Sequence, residues 1–435
     1  MNAKQTSAST VLKRVFLCMS LAFLAMAFVV PDRGEVFSGL YKILMAPDQL
    51  TQDYFLVGSV SAAFFNTGVV GLICWLLMLL PGYQANGTTA IGYLLTVGFS
   101  FFGINVLNIW PCFLGAFIYA AVHKQKPSTA VNFAMFATAL APLVSDLALR
   151  YPGLTNHGFT PSSVALSILV GGIIGFLTAI GCAHSPNVHK GYSIYSAGLP
   201  MGMLGFLLRA LLYNTLGGEL PEISANLSEG FPLLCNAFCI VVFGACVVAG
   251  FVLNGNSFRG YGKLLQDTGH KVDFSAKYGP AMTVMNLGIY GLFIVLYYNL
   301  VGATWTGPTI GVVFCMLACG VSGSHPGNVW PIMVGYFLMS LVGQTSINAQ
   351  AIVVGLCFAN GLSPIAGQFG WIAGIVAGAL HYSLVTSVPA LHGGFCLYNG
   401  GFTACFIALI IVPILEKYVK TKDERIARKA ARQNS

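Results

Sequence analysis

Charge is what this chain has least of. Asp, Glu, Lys and Arg together make up 8% of its 435 residues, whereas 56% of the residues are hydrophobic. A soluble domain would carry about 25% charged residues. Several stretches of roughly twenty residues contain no charge, which is the length needed to cross a bilayer. The composition excludes an ordinary soluble protein and predicts an all-α, multi-pass integral membrane protein.

Sequence signatures of metal and enzyme sites are also missing. The 12 cysteines include no Cys-x-x-Cys pair, and a free Cys in an apolar segment behaves as a small hydrophobe. There is no phosphate-binding loop, no His-Glu-x-x-His and no serine nucleophile elbow. We therefore expect no enzyme activity, no cofactor and no bound metal.

The few basic residues are grouped along the chain. The net charge of +8 comes largely from the N-terminus, residues 259–277 and residues 417–435. Lys and Arg mark cytoplasmic segments of membrane proteins, so the charge predicts orientation rather than a nucleic-acid partner. The loop 216–231 contains three Glu residues and no Lys or Arg, which predicts that it lies outside. Both termini are then cytoplasmic.

An internal duplication is the strongest positive signal. Asn108-Ile109-Trp110-Pro111 recurs as Asn328-Val329-Trp330-Pro331, 220 positions later, and residues 66–72 match 286–292 at the same shift. Two further pairs of blocks match in the same order. Residues 136–143 match 358–365 at a shift of 222, and residues 186–195 match 389–398 at a shift of 203.

The duplication divides the chain into five parts. They are 1–53 (cytoplasmic segment, first transmembrane helix and outer loop), 54–215 (first copy), 216–274 (outer loop, linking helix and cytoplasmic loop), 275–416 (second copy) and 417–435 (basic cytoplasmic tail). Because one helix precedes the first copy and one links the copies, the copies are predicted to enter the membrane from opposite sides. Such inverted repeats place a solute site near the midplane.

Each copy contains one apolar stretch that we expect to be broken. Residues 88–122 and 308–342 are predicted to be split at the Trp-Pro motif, because proline removes a backbone donor. Whether these stretches are re-entrant hairpins or full crossings stays open, so the predicted number of crossings is about 10 to 14.

Polar side chains near the breaks are the candidate pathway residues. Free backbone groups at membrane depth are tolerated only against protein or a water-filled cavity, and Asn offers both a donor and an acceptor to a polar solute. The alternative is that these side chains cap broken helix ends or pack helices. The predicted pathway residues are Asn66, Asn105, Asn108, Trp110, Tyr195, Asn286, His325, Asn328, Trp330, Tyr398 and Asn399.

Ionisable side chains inside the apolar segments are rare and usually functional. The candidates for ion coupling are Asp146, its counterpart Gln368, and His381. None of them is repeated as an ionisable residue in the other copy, which disfavours a symmetric carboxylate site. Asp146 is also placed to cap a helix end or to pair with Arg150.

The tandem Asn-x-Trp-Pro and His-x-Gly-[Tyr/Phe]-x-x-Tyr patterns resemble an uncharacterised bacterial multi-pass membrane family, domain of unknown function 1576. The resemblance covers nearly the whole chain and implies a bacterial inner-membrane location, but no activity. A weaker resemblance is to urea transporters. Tyr398-Asn399-Gly400 is similar to their Tyr-Asn-Gly segment, whereas Tyr195-Ser196-Ala197 departs from it.

These observations lead to one main hypothesis and two alternatives. The main hypothesis is a transporter or channel for a small, neutral polar solute, with its site between two inverted repeats. The alternatives are an ion-coupled transporter that uses Asp146 and a non-transport membrane subunit. The expected partners are the solute and the lipid bilayer. Whether the protein also forms a homo-oligomer stays open.

Overall fold

The computed structural model describes residues 3–50, 52–223 and 227–433. Within these ranges the chain forms helices joined by turns, without a β-strand. The side chains of Lys4, Arg428, Lys429 and Arg432, which add to the predicted basic termini, lie outside the described part.

The described residues of the first half form ten α-helices. They are α1 (Ala3–Ala27), α2 (Val36–Leu44), α3 (Tyr54–Val57), α4 (Val60–Leu77), α5 (Gly87–Phe99), α6 (Ile109–Val122), α7 (Val131–Ala137), α8 (Ala141–Leu149), α9 (Pro161–Val188) and α10 (Gly198–Arg209). Short 3-10 turns join α7 and α8 into one segment, Pro127–Leu149. A π-helical turn, Ala210–Thr215, extends α10.

The second half follows the same order of long, broken and short helices. Its helices are α11 (Pro232–Leu253), α12 (Tyr261–Leu264), α13 (Phe274–Lys277), α14 (Pro280–Val301), α15 (Gly307–Leu317), α16 (Pro326–Val342), α17 (Gln350–Ala359), α18 (Ser363–Phe369), α19 (Trp371–Val385), α20 (Asn399–Tyr418) and α21 (Lys422–Gln433). Short 3-10 turns follow α15 and join α17 to α18.

Eight helical segments in the described part are long and apolar enough to cross a membrane. They are Ser7–Ala27, Val60–Leu77, Pro127–Leu149, Pro161–Val188, Pro232–Leu253, Pro280–Val301, Gln350–Phe369 and Asn399–Ala427. The prediction of a helical protein with many apolar helices is therefore confirmed.

The two predicted breaks are present, and each contains a glycine that the turn requires. Residues 100–108 separate α5 from α6, and residues 322–325 precede α16. Gly103 has φ of 88° and Gly323 has φ of 138°, a region of backbone conformation that side chains with a Cβ atom rarely adopt. The same chain reversal thus occurs at equivalent positions of the two predicted copies.

The position of the Trp-Pro motif relative to the break corrects the sequence prediction. Trp110 and Pro111 lie inside the first turn of α6, and Pro331 lies inside α16. Pro111 is tolerated because the first N–H groups of a helix have no intrahelical acceptor. The motif therefore follows the break rather than making it.

Equivalent helices have equivalent partners. α1 packs along α4 as α11 packs along α14, and α6 packs along α9 as α16 packs along α19. The two halves meet where α5 crosses α15 and where α10 crosses α20. At the first crossing, a Cβ added to Gly98 would lie 2.5 Å from the carbonyl oxygen of Gly311, and at the second, one added to Gly198 would lie 2.4 Å from the carbonyl carbon of Gly401. Glycine thus brings the two halves into backbone contact.

Candidate functional site

Asn66 and Asn286 hold the broken segments in place. The Asn66 amide donates to the carbonyl oxygens of Ser100 and Ile104 at 2.8 and 2.9 Å. The Asn286 amide donates to those of Gly320 and Ser324 at 2.7 and 3.0 Å. Both side chains are fully buried. Their amide N–H groups are used to satisfy the carbonyls left free where the helices end, as the capping alternative predicts.

Asn108 and Asn328 also satisfy free carbonyl groups, here within the turn that precedes each Trp-Pro helix. The amide of Asn108 donates to the Gly103 carbonyl at 3.0 Å, and that of Asn328 donates to the Gly323 carbonyl at 2.8 Å. Their Oδ1 atoms accept the backbone N–H of residues 105 and 325 at 2.9 and 3.0 Å. The turn that precedes each Trp-Pro helix is thus closed by its own Asn.

Asn105 and His325 occupy equivalent places with different side chains. Oδ1 of Asn105 accepts the backbone N–H groups of Leu107 and Asn108, and Nδ1 of His325 accepts the N–H of Gly327. His325 therefore caps α16, whereas Asn105 stabilises the turn just before α6. The remaining nitrogen of each side chain faces a neighbouring segment, Nδ2 of Asn105 donating to Asp48 and Nε2 of His325 to the Asp267 carbonyl.

The two tryptophans lie on the outer surface of the protein. Trp110 is 50% exposed and Trp330 is 42% exposed. Trp110 borders a groove of about 330 Å³ beside α6, α8 and α9. Neither side chain lines either of the two cavities described below.

Asp146, Gln368 and His381 make contacts that join segments. Asp146 pairs with Arg150 and accepts the hydroxyl of Tyr213. Gln368 donates to Asp423 at 2.7 Å and so ties α21 to α18. His381 lies 2.5 Å from the Tyr336 hydroxyl and 2.9 Å from the Gly400 carbonyl, which links α16, α19 and α20.

Each half contains a cavity, and matched residues line the two cavities. The first cavity has about 230 Å³ and the second about 370 Å³. Eight residues of the first recur in the second at the shifts of 220, 222 and 203 found in the sequence. The pairs are Thr88 and Pro308, Phe133 and Gly355, Phe136 and Phe358, Cys182 and Val385, Pro186 and Pro389, Ile194 and Leu397, Ser196 and Asn399, Ala197 and Gly400. The duplication therefore produces two corresponding cavities.

A histidine orients the polar residue at the edge of each cavity. Nδ1 of His189 accepts the backbone N–H of Ser193, and Nδ1 of His392 accepts that of Cys396. A neutral ring in this arrangement carries its proton on Nε2. Nε2 then donates to Ser196 Oγ at 2.9 Å and to Asn399 Oδ1 at 3.1 Å, respectively. The sequence pattern His-x-Gly-x-x-x-Tyr thus has a physical role in both halves.

Four buried aromatic rings lie between the cavities, and we call them the aromatic barrier: Phe99, Tyr195, Phe358 and Tyr398. Phe99 stacks on Phe358 with ring centroids 5.6 Å apart, and Tyr398 lies 5.6 Å from Phe99. Tyr195 lines the first cavity, and its ring centroid is 5.3 Å from that of Phe358, which lines the second. One layer of rings therefore separates the two cavities at this point.

The two tyrosines of the barrier differ in their hydroxyl groups. Tyr195 donates to the Cys315 carbonyl at 2.7 Å and is within 3.3 Å of the Cys357 carbonyl. The hydroxyl of Tyr398 is buried without a hydrogen-bond partner, and Tyr398 lines the first cavity. A buried hydroxyl that lacks a partner is costly, so Tyr398 keeps one unused hydrogen-bonding group in the aromatic barrier.

The sequence reasoning missed three carboxylates. Asp48 is fully buried, and Asp53 and Asp273 each accept a backbone N–H from the opposite half. Asp53 and Asp273 are 220 positions apart, so the duplication itself could have identified them. Asp48 has Thr268 at the equivalent position and gave no such signal. In the described residues, no group of three or more His, Cys, Asp or Glu is placed to hold a metal ion.

Comparison with known proteins gives a family. The model of a family described as "Protein of unknown function (DUF1576)" matches residues 32–214 and 253–417. No curated protein and no solved structure matches the chain. The weaker resemblance to urea transporters is therefore not supported. Because the two matched stretches cover most of the chain, the protein belongs to the DUF1576 family.

Proposed function

We propose that the protein is a transporter or channel for small, neutral polar solutes, whose pathway runs through the two cavities and the aromatic barrier between them. The observation that carries the proposal is the pair of matched cavities. Eight lining positions recur in the two halves, as expected if each half contributes one cavity to a pathway between inverted repeats.

Contacts at the helix ends support a re-entrant hairpin in each half. The hydroxyl of Tyr83, just before α5, donates to Asn132 at the start of α7, 2.6 Å away. Since α6 ends just before α7, α5 begins and α6 ends on the same side. In the second half, the hydroxyl of Thr306, before α15, donates to Gln350 at the start of α17, 2.7 Å away. We infer ten crossings rather than fourteen.

The two hairpins are inferred to open on opposite faces. The backbone N–H of Gly87, where α5 starts, donates to Asp273 at 2.8 Å. Near the start of α15, the N–H of Gly230 donates to the Trp305 carbonyl at 2.8 Å. The apolar helix α11 joins these two places, and its 22 residues are enough to cross a bilayer. The halves are then inverted, as the charge pattern of the sequence predicts.

The distribution of charge supports a cytoplasmic location for both termini. Lys13 donates to the Tyr83 carbonyl at 3.1 Å, and Lys422 donates to the Gln266 carbonyl at 2.6 Å. The N-terminal helix, the tail helix and the basic loop after α11 thus share the face at which α5 begins. The acidic loop 216–231 belongs to the other face. Excess Lys and Arg on one face is typical of the cytoplasmic side, here of a bacterial inner membrane.

The cavity walls favour a neutral solute. No charged side chain lines either cavity in the described part of the chain. The polar groups are hydroxyls and amides: Thr88, Ser196 and Tyr398 in the first cavity, and Gln350, Thr386 and Asn399 in the second. A volume of 230 Å³ equals that of several water molecules at roughly 30 Å³ each. We therefore infer solutes of a few heavy atoms with hydroxyl or amide groups.

Solute flux into liposomes tests this function. Vesicles that contain the purified protein are mixed with acetamide, glycerol or urea, and their reswelling is followed by light scattering. We expect at least one solute to enter faster than into empty vesicles. Ser196→Leu and Asn399→Leu, which each replace the polar edge of one cavity, should slow entry by about tenfold, equivalent to roughly 1.4 kcal/mol of barrier.

A matched variant controls for added bulk. Ser383 is exposed on α19, so Ser383→Leu should leave the flux unchanged. Melting temperatures of all variants separate lost flux from lost folding. The proposal fails if no solute enters faster than into empty vesicles, or if folded Ser196→Leu and Asn399→Leu proteins keep the wild-type rate.

A further inference from the structure

Asp48 is a buried carboxylate surrounded by neutral hydrogen-bond donors. Its Oδ2 atom accepts from Ser145 Oγ at 2.8 Å and from the amides of Asn105 and Asn108 at 3.1 Å each. Its Oδ1 atom accepts from the Tyr54 hydroxyl at 2.9 Å. The side chain has no exposed surface.

The orientation of both amides is fixed, which excludes a cation site at this carboxylate. The Oδ1 atoms of Asn105 and Asn108 accept backbone N–H groups, so their Nδ2 groups must face Asp48. The two amides therefore present hydrogens rather than lone pairs to the carboxylate. Among the described residues, no Lys, Arg or His contacts Asp48. Asp146, which follows Ser145 on α8, forms an ion pair with Arg150.

A proton fits where a metal ion does not. Oδ1 has one partner, the Tyr54 hydroxyl, and a hydroxyl group can reverse from donor to acceptor. A proton added to Oδ1 can then be donated to Tyr54 Oη, while the three bonds to Oδ2 remain. Burial raises the pKa of Asp48 to about 7, and the hydrogen bonds from Ser145, Tyr54 and the two amides only partly oppose it.

A groove reaches this cluster from the side. The groove of about 330 Å³ beside α6, α8 and α9 is lined by Asn105, Asn108 and Ser145, three of the four donors to Asp48. The rest of its wall is apolar, with Trp110 and Pro111 among the lining residues. A proton therefore needs to pass one layer of side chains between the groove and the carboxylate.

Asp48 belongs to a short segment that also covers the second cavity. Residues 45–50 follow α2, and Leu50, two positions after Asp48, lines the second cavity. The backbone N–H of Leu50 donates to the Gly394 carbonyl at 2.7 Å. The hydrogen bonds of Asp48 thus anchor the same segment that closes one wall of this cavity.

We propose that Asp48 is a proton-binding site that controls access to the second cavity. An ionised carboxylate is costly to bury, and the hydrogen bonds to Asp48 offset that cost only in part. The protonated form therefore keeps segment 45–50 in place against the cavity, and the ionised form favours its release. The gating role rests on the proposed transport function, whereas the proton site does not.

Infrared spectroscopy of the purified full-length protein in lipid tests the proton site. The carbonyl band of a protonated carboxyl group should titrate near neutral pH in the wild type. Because Asp53 also has a raised pKa, of about 6, the signal of Asp48 is the part of the band that Asp48→Asn removes and that Asp53→Asn and Asp146→Asn retain. Tyr54→Phe removes one bond to the carboxylate and should move the midpoint of that part upward by about one pH unit. The site is refuted if no part of the band titrates near neutral pH, or if Asp48→Asn leaves the titrating band unchanged.

Liposome flux tests the gate with the same three solutes. Wild-type flux should be roughly fivefold or more faster at about pH 9 than at about pH 5, within the range of known couplings between sites. Asp48→Asn, which imitates the protonated acid, should be slow at both pH values, and Asp146→Asn should keep the wild-type dependence. A pH-independent wild type, or loss of the dependence in Asp146→Asn alone, overturns the gate. If no solute enters at any pH, the transport function and its gate fail together, and the infrared result still decides the proton site.

Discussion

The carboxylate of Asp53 accepts the backbone N–H of Gly307 at 3.0 Å, across the boundary between the two halves. The reciprocal bond joins Asp273 to the N–H of Gly87 at 2.8 Å. Both glycines are the first residues of broken helices, α15 and α5, where N–H groups lack intrahelical acceptors and the helix dipole favours an anion. Each half thus caps a broken helix of the other.

Removing either cap should destabilise the protein. Asp53→Ala and Asp273→Ala each leave partly buried N–H groups without an acceptor, which costs about 1–3 kcal/mol. Thermal unfolding in detergent should show both variants melting below the wild type. Glu222→Ala, a change at an exposed acid in the loop 216–231, should melt with the wild type. Equal melting of all four proteins would contradict the capping role.

The glycine contact between α5 and α15 gives a second stability test. A Cβ atom on Gly311 would lie 2.2 Å from the Gly98 carbonyl oxygen, which is backbone and cannot move aside easily. Gly311→Ala should therefore cost about 1–3 kcal/mol through overpacking. Gly172→Ala is the matched control, because its Cβ meets nothing within 4 Å and alanine is the better helix former. If Gly311→Ala melts no lower than Gly172→Ala, the close backbone contact between α5 and α15 is contradicted.

Substitution of Asn66 distinguishes a capping residue from a pathway residue. Asn66→Ala leaves the buried Ser100 and Ile104 carbonyls without their donor, at about 1–3 kcal/mol for each unsatisfied group. We expect the melting temperature to fall, with flux falling only as far as the folded fraction does. If the variant melts at the wild-type temperature but transports no solute, Asn66 is a pathway residue rather than a capping residue.

The sequence predicted the order of the helices and their breaks better than it predicted the roles of the candidate site residues. The duplicated Asn-x-Trp-Pro blocks located both breaks, because proline, glycine and asparagine constrain the local backbone directly. They did not show whether Asn66 or Asn108 faces a cavity or a helix end, since either place satisfies a buried amide. That choice depends on which carbonyls the fold brings near, such as those of Ser100 and Gly103.

The residues that line the cavities also show that a side chain's role depends on its neighbours in the fold. Ser196 and Asn399 are equivalent positions with different side chains, and their shared role comes from the histidine seven residues earlier in each half. Tyr398 and Asn399 were among the predicted pathway residues, and both line a cavity. Asp48 could not be found from the pattern, because its four donors come from three separate segments of the chain.

Stability should depend on pH through two buried acids outside the spanning helices. Burial raises the pKa of Asp48 to about 7 and that of Asp53 to about 6. An unfolded chain has an Asp pKa of about 4, so folding takes up protons between roughly pH 4 and pH 7. The stability from these groups is complete below the unfolded pKa and is lost as the pH rises through the folded values.

Asp48→Asn measures the larger part of this dependence. The variant should match the wild type at about pH 4 and melt above it at about pH 8, because only the wild type then carries a buried charge. The measurement is the difference in melting temperature between the two proteins across the pH range. A difference that stays constant, or that has the opposite sign, would show that Asp48 keeps an ordinary pKa.

The two barrier tyrosines separate structural from solute-contacting hydroxyls. Tyr195→Phe removes the donor to the Cys315 carbonyl and should lower stability by about 1 kcal/mol or more. Tyr398→Phe removes a hydroxyl that has no protein partner, so the melting temperature should stay unchanged or rise. On the proposed pathway a solute that passes the aromatic barrier meets this hydroxyl, so Tyr398→Phe should nevertheless slow the entry of hydrogen-bonding solutes, by about tenfold if one bond in the transition state is lost. The melting temperature and the liposome flux are measured on both variants. Wild-type flux in Tyr398→Phe would show that this hydroxyl does not contact the solute.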